Sequence, residues 1–312
     1  MEDAVRDLNR REFVRAVGTA ALGITGAGVA AGGEDRFSRP LCIFSKHFPE
    51  LGWADLAATA KSLGFDGIDL TVRRGGHVAP EKAAADLPLA VAEIRSVGLS
   101  VPMITTEVLS ATSVAKEICS AAGKLSIPFL KPGYYRYKLV DVRRELEEAG
   151  KQFAELAGLA KQSGIRVGYH NHADYLGAPI WDMTKILDGL DPQWAGYYFD
   201  ICHAVTEGGS AGWKIAFNLA APRIFMIAIK DFFWEKTASA GWRRRMCPLG
   251  QGMVDWQAYF KLLAQVNYKG PISLHVEYDI PGTTPRERQE NTIAAVRQDF
   301  AFLKARIREA FA

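Results

Sequence analysis

The chain repeats one unit eight times: an apolar stretch of strand length, a polar loop, a helical pattern, then a small residue and glycine leading into the next stretch. The segments "KSLGFDGIDL", "RSVGLSVPMI" and "KQSGIRVGYH" show the joint. Each closes a helix at Gly64, Gly98 or Gly164, where a left-handed cap suits glycine, and runs on into a strand. Strands are predicted at 41–47, 67–72, 100–106, 128–132, 165–170, 195–200, 224–230 and 271–277. Parallel strands covered by helices are apolar on both faces, as "FMIAIK" is. "WADLAATAKSL" and "DWQAYFKLLAQV" space their apolar residues three and four apart, as helices coating the outside do. Eight such units predict an α/β protein, a single-domain (β/α)8 TIM barrel. A doubly wound open sheet is the competing arrangement. It would want a glycine-rich phosphate loop after the first strand, and "SKHFPELGW" is not one.

Residues 1–31 stand outside the repeat: Arg10 and Arg11, then Phe13, precede a Gly/Ala-rich apolar run that ends in small residues at Val29 to Ala31. This reads as a twin-arginine signal for export to the periplasm, followed by a short linker at 32–39 and the barrel at 40–312. A spanning helix wants about 20 strongly apolar residues, so a run broken by glycines predicts no stable membrane anchor. The 38 basic and 35 acidic residues are mixed along the chain, which argues against nucleic acid and for a small-molecule partner. A homo-oligomer stays open. Cys42, Cys119, Cys202 and Cys247 have no metal-type spacing and are expected to be small buried residues rather than bridges.

In a barrel of this kind the chemistry sits where strands end and βα loops begin. All six histidines are predicted there, with none on a helix: His47, His77, His170, His172, His203 and His275. They are joined at the ends of strands five to eight by Asn171, Asp200, Lys230, Asp231 and Glu277. A ring of imidazoles, carboxylates and an amine is too costly to bury unpaired, so it points to a bound cation. Nitrogen with carboxylate ligands suits Mn, Zn, Fe or Co better than Mg or Ca. A hydrogen-bonded polar plug closing the barrel is the other reading.

The segments "YHNH", "FDICHA", "IKDF", "PLGQGMVDW" and "GPISLHVEY", in this order over residues 40–305, resemble the xylose isomerase-like barrel superfamily, whose members include sugar isomerases, epimerases and dehydratases. The resemblance implies a divalent metal held by a Glu, an Asp, a His and a Glu on strands five to eight. Asp200 takes the Asp place with His203 three residues on, His170 stands where the first Glu would be, Ala228 replaces the strand-seven His, and His275 occupies the last Glu place. The metal ligands are therefore expected to be His170, Asp200 and His275, completed by His172, His203 or Glu277. The implied chemistry is removal of a proton beside a sugar carbonyl through an enediolate. Glu277 is then the base where it is not a ligand, and Lys230 either neutralises the oxyanion, acts as an acid, or pairs with Glu277 or Asp200. His172, His203, Lys131, His77 and Trp234 are the expected substrate contacts, with "WRRRM" at 242–246 as a lid. Three functions follow: a metal-dependent isomerase or epimerase of a sugar or keto-sugar, a lyase or dehydratase working by elimination on an oxidised sugar or glycoside, and a non-catalytic sugar-binding barrel.

Overall fold

A computed structural model describes residues 38–239 and 241–311. The expected signal and most of the expected linker lie outside the described residues.

Eight parallel strands close into a barrel: β1 (Leu41–Phe44), β2 (Gly67–Val72), β3 (Ser100–Thr106), β4 (Phe129–Lys131), β5 (Arg166–His170), β6 (Ala195–Asp200), β7 (Ile224–Ile229) and β10 (Ile272–Leu274). The remaining two, β8 (Asp231–Thr237) and β9 (Gly241–Cys247), form an antiparallel hairpin directly after β7. Helices α1 (Trp53–Leu63), α2 (Ala83–Ser96), α3 (Ser113–Lys124), α4 (Val142–Gln162), α5 (Ile180–Leu187), α6 (Ile201–Ala220), α7 (Trp256–Gln265) and α8 (Pro285–Phe311) complete the units. The fold is the expected single-domain (β/α)8 barrel. Three strands match their predicted bounds and the others are shorter, β1 and β10 by three residues at the end that faces the mouth and the rest by one residue at one end or at both. Among the described residues no helix is long and apolar enough to cross a membrane, and all four cysteines are free and buried.

Strand period decides what each side chain does, since alternate residues point to opposite faces. Ile68, Leu70, Tyr197, Phe199, Ile227, Ile229, Ile272 and Leu274 point outward into the large core under the helices. Met103, Tyr198, Met226 and Ala228 point inward and make a second, small apolar cluster inside the barrel. The inward series continues on each strand with polar residues: Asp69 and Thr71, Lys131, His170, Asp200, Lys230, and Ser273 with His275. The barrel thus has an apolar floor and a polar mouth.

The hairpin and the following loop are fastened by one carboxylate. Among the described residues Asp231 accepts hydrogen bonds from the backbone N–H groups of Phe232, Gly250, Gly252 and Val254 and from Trp256 Nε1. Gly250 holds a left-handed φ of 81°, and a Cβ on Gly252 would run into the Asp231 carboxylate. "KDF" and "PLGQGMVDW" are therefore two halves of one loop anchor. Replacing Asp231 with Ala is expected to strand these donors and lower unfolding stability by about 3 kcal/mol or more. Denaturant unfolding measures it, and a loss within error of zero would contradict the anchoring role.

A histidine–carboxylate–lysine centre at the barrel mouth

Asp200 ends β6 and at the same time caps α6, which starts one residue later. Its Oδ1 accepts the His203 backbone N–H at 3.2 Å, the usual reach from a cap to the third helical residue. Its Oδ2 meets His170 Nε2 at 2.9 Å, Lys230 Nζ at 3.2 Å and His203 Nε2 at 3.7 Å. Asn171 clamps the Asp200 peptide from both sides, accepting its N–H at 2.7 Å and donating to its carbonyl at 2.9 Å. Asp200 is wholly buried, so these partners are what make a carboxylate tolerable there.

Because a carboxylate only accepts, His170 must place its proton on Nε2, and its Nδ1 accepts from the Tyr134 hydroxyl at 2.9 Å. Lys230 reaches past the small Ala228 and pairs with Glu277 Oε2 at 2.9 Å as well as with Asp200. Glu277 is held on its other oxygen by Lys46, also at 2.9 Å. Burial alone would push both carboxyls up. The Lys230 ammonium and the neighbouring partners, His203 and His170 at Asp200 and His275 and Lys46 at Glu277, together outweigh it and hold both carboxyls well below the usual carboxylate range. Burial would likewise lower Lys230, but the two carboxylates hold it above the ordinary lysine value. Among the described residues Lys131 pairs with no carboxylate and lies over the ring of Tyr134, 3.4 Å from its Nζ, and burial followed by repulsion from Arg73 lowers it well below the usual range.

The other expected site residues are distributed more widely. His172 lies just beyond β5, with Nδ1 donating to the Ala173 carbonyl at 2.8 Å and its ring 3.9 Å from that of His203. Burial, then Lys230, takes it down to about 4, so at neutral pH its Nε2 is an unprotonated acceptor. His203 sits in the first turn of α6, which corrects the expectation that no histidine is helical. His275 is not brought into the His170–Asp200 group. It lies one pleat deeper than Glu277, stacked on Phe44 at 4.4 Å and bonded through Nε2 to Tyr198 at 3.0 Å, near the buried Asp69. His77 has both ring nitrogens engaged, with Thr71 and with the Phe48 carbonyl, and so braces the β1 and β2 loops instead of facing the mouth. Trp234 is exposed on the hairpin, whose Arg244 bridges to Asp174 in the loop after β5. The expected lid at 242–246 is β9 of this hairpin. Asn171, expected among the polar residues at the strand ends, is the clamp on the Asp200 peptide, and Tyr134 and Lys46 join the centre through His170 and Glu277. Lys46 is the member that the sequence reading did not assign, since a lone lysine carries no spacing signal of its own.

Among the described residues one group could hold a divalent ion. A ligand atom from each of His170, Asp200 and His203 lies within 4.8 Å of the others, all three residues buried. Among the described residues the two ring nitrogens of His203 have no hydrogen-bond partner, an unusual state for a buried imidazole and one that a metal would resolve. The donor chemistry fits.

These neutral imidazoles also set the acid stability. Burial, the leading cause each time, lowers His47 to about 3 and His172 to about 4, and takes His170 and His203 well below their usual value. An unfolded chain takes up those protons near pH 6.5 while the folded chain refuses them. Stability is full above that pH and falls below it, by about 1.4 kcal/mol per pH unit for each histidine. The thermal midpoint is expected to drop steeply between pH 6.5 and 4. A flat profile there would show that the imidazoles charge in the fold.

The class defined so far is a (β/α)8 barrel with a buried histidine–carboxylate–lysine centre where its strands end. Residues 57–306 match the xylose isomerase-like TIM barrel family, and the chain belongs to it. An inosose dehydratase of Clostridium perfringens is 27% identical over 155 residues, 45% of this chain and 52% of that protein. The chain spans about half the length of the curated relatives it matches. An L-ribulose 3-epimerase structure superposes with a TM-score of 0.65 at 16% identity, covering 87% of this chain and 95% of its own. A xylose isomerase-like TIM barrel protein from Mycobacterium smegmatis in complex with magnesium gives 0.65 at 16% identity, with 88% and 98% covered. These likenesses fix the fold. The inosose dehydratase and the epimerase are enzymes, and the Mycobacterium smegmatis protein was solved with magnesium.

Proposed function

We propose that this chain is an isomerase or epimerase of a small sugar or keto-sugar that moves a proton on a carbon beside a carbonyl. The observation that carries the reading is the placement of two proton acceptors on opposite sides of one buried positive centre. Glu277 follows β10 and is ionised; His172 follows β5 with a free Nε2; β7 and β6, carrying Lys230 and Asp200, stand between them in the barrel order. Inverting a carbon requires one group to take the proton and another to return it from the other face. Lys230 supplies a fixed charge beside which an oxyanion can form. Tyr134, His172 and Tyr175, with rings 4.8–5.2 Å apart, make an aromatic wall suited to a sugar face. A divalent ion, with Mn, Zn, Fe or Co favoured over Mg by the nitrogen donors, would be held by His170, Asp200 and His203. It would draw electrons from the carbonyl and its neighbouring hydroxyl.

The sequence relatives favour a second reading. The curated proteins matched by this chain are inosose dehydratases, and loss of water after the same proton abstraction would make this enzyme a dehydratase. A panel of keto-sugars and inososes incubated in deuterated water separates these readings. Deuterium in an epimer supports the first, an unsaturated product the second. Binding without exchange across the panel would leave only a sugar-binding barrel.

A further inference from the structure

We propose that Lys230 is a built-in rival of the divalent ion, so that the ion is exchangeable and is held tightly only when the lysine leaves Asp200. This rests on the reading of His170, Asp200 and His203 as the ion's ligands. All three claims on that site meet at a single atom. Asp200 Oδ2 is the oxygen nearest His203 Nε2, it takes the His170 Nε2 proton, and it is also the oxygen paired with Lys230. An ion that binds Oδ2 must displace the ammonium or sit beside it.

Charge makes the second arrangement costly. Asp200 and Glu277 supply two negative charges, and Lys230 and Lys46 already supply two positive ones. A dication added to this set leaves the centre with two uncompensated positive charges, and Lys131, 2% exposed, stands within reach of the same mouth with no carboxylate partner among the described residues. Lys230 is itself 1% exposed, so water screens little of the repulsion.

The alternative arrangement is also built in. Glu277 holds Lys230 at 2.9 Å independently of Asp200, so the ammonium can swing off Oδ2 without losing its second carboxylate. Lys46 keeps Glu277 neutralised meanwhile, and its half-exposed side chain lets that pair adjust in water. A lysine that merely supported the ligand carboxylates would have contacted the oxygen the ion does not use. Asp200 Oδ1 is instead given to the helix cap.

The test uses the metal alone. Full-length protein is stripped with chelator and titrated with Zn²⁺ and with Mn²⁺ by calorimetry, and bound metal is counted after gel filtration. Wild type is expected to emerge with well under one ion per chain, and Lys230→Met to bind about a hundredfold more tightly, as removal of a buried like charge demands. A wild type that keeps close to one ion per chain overturns the proposal, as does a Lys230→Met protein that folds and binds no more tightly. Should that variant fail to fold, the wild-type count decides, together with reductive methylation of Lys230, which is expected to rise when Zn²⁺ is added and would contradict displacement if unchanged. Keto-sugar exchange reports separately: its absence, with the metal results as expected, would sink the proposed function and leave the rivalry standing.

Discussion

Asp200→Asn is expected to be the most damaging isosteric change in the protein. Its oxygen can still accept the His203 backbone N–H, so the cap on α6 survives. The other branch becomes an NH2 group facing two donors, the His170 Nε2–H at 2.9 Å and the Lys230 ammonium at 3.2 Å. Donor against donor in a site this buried leaves a charge unpaired, which in buried ion pairs costs about 3–5 kcal/mol. The same change removes the only carboxylate of the candidate metal group. Deuterium exchange into substrate should fall by about a hundredfold to a thousandfold, the range seen when a preorganised charge is lost. Denaturant unfolding, metal count and exchange are three separate readouts. Stability within about 1 kcal/mol of wild type would mean that Lys230 relies on Glu277 alone.

The barrel was legible because its unit repeats, and a repeat survives errors in any one strand. The inner face was legible too. Period two applied to "YYFD", "IAIK" and "YH" puts Asp200, Lys230 and His170 inward, and the structure has them there. Depth along the barrel was not. His275 and Glu277 share a face in sequence, but β10 ends at Leu274, and beyond the ladder one pleat separates a histidine bonded to Tyr198 from a glutamate bonded to Lys230. Period gives direction and says nothing of height.

His203 shows the opposite case. It entered the sequence reading only as a residue to complete the metal shell or to contact substrate, yet the spacing Asp-x-x-His that "FDICHA" carries is the spacing of a cap and its third helical residue, and that geometry returns the imidazole to Asp200. The "PLGQGMVDW" motif carried a different message from the one expected of it: its two glycines let the backbone wrap the Asp231 carboxylate. Lys46 could not be read at all, because it reaches the centre from a distant unit, 231 residues from Glu277.

The two histidines of "YHNH" are expected to part company when each is replaced by Ala. His170 is bonded through both nitrogens, to Tyr134 and to Asp200, and is 2% exposed. Its loss strands a hydroxyl and one side of a buried carboxylate and opens a hole beside Tyr198, whose ring centre lies 4.8 Å away. About 2–4 kcal/mol of stability should go with it, by lost hydrogen bonds and cavity together. Metal binding should vanish, since one of three ligands is gone. His172 has one hydrogen bond among the described residues, to the neighbouring Ala173 carbonyl, packs its ring on His203, Tyr134 and Tyr175, and is partly exposed. Its replacement should cost less than about 1 kcal/mol, leave the metal count where it was, and lower exchange by about a hundredfold or more, the contribution of a positioned base. Equal metal loss from both variants would put His172 among the ligands. Undiminished exchange in His172→Ala would leave Glu277 to move the proton on one face only, and a single base that returns a proton where it took it exchanges hydrogen without inverting the carbon.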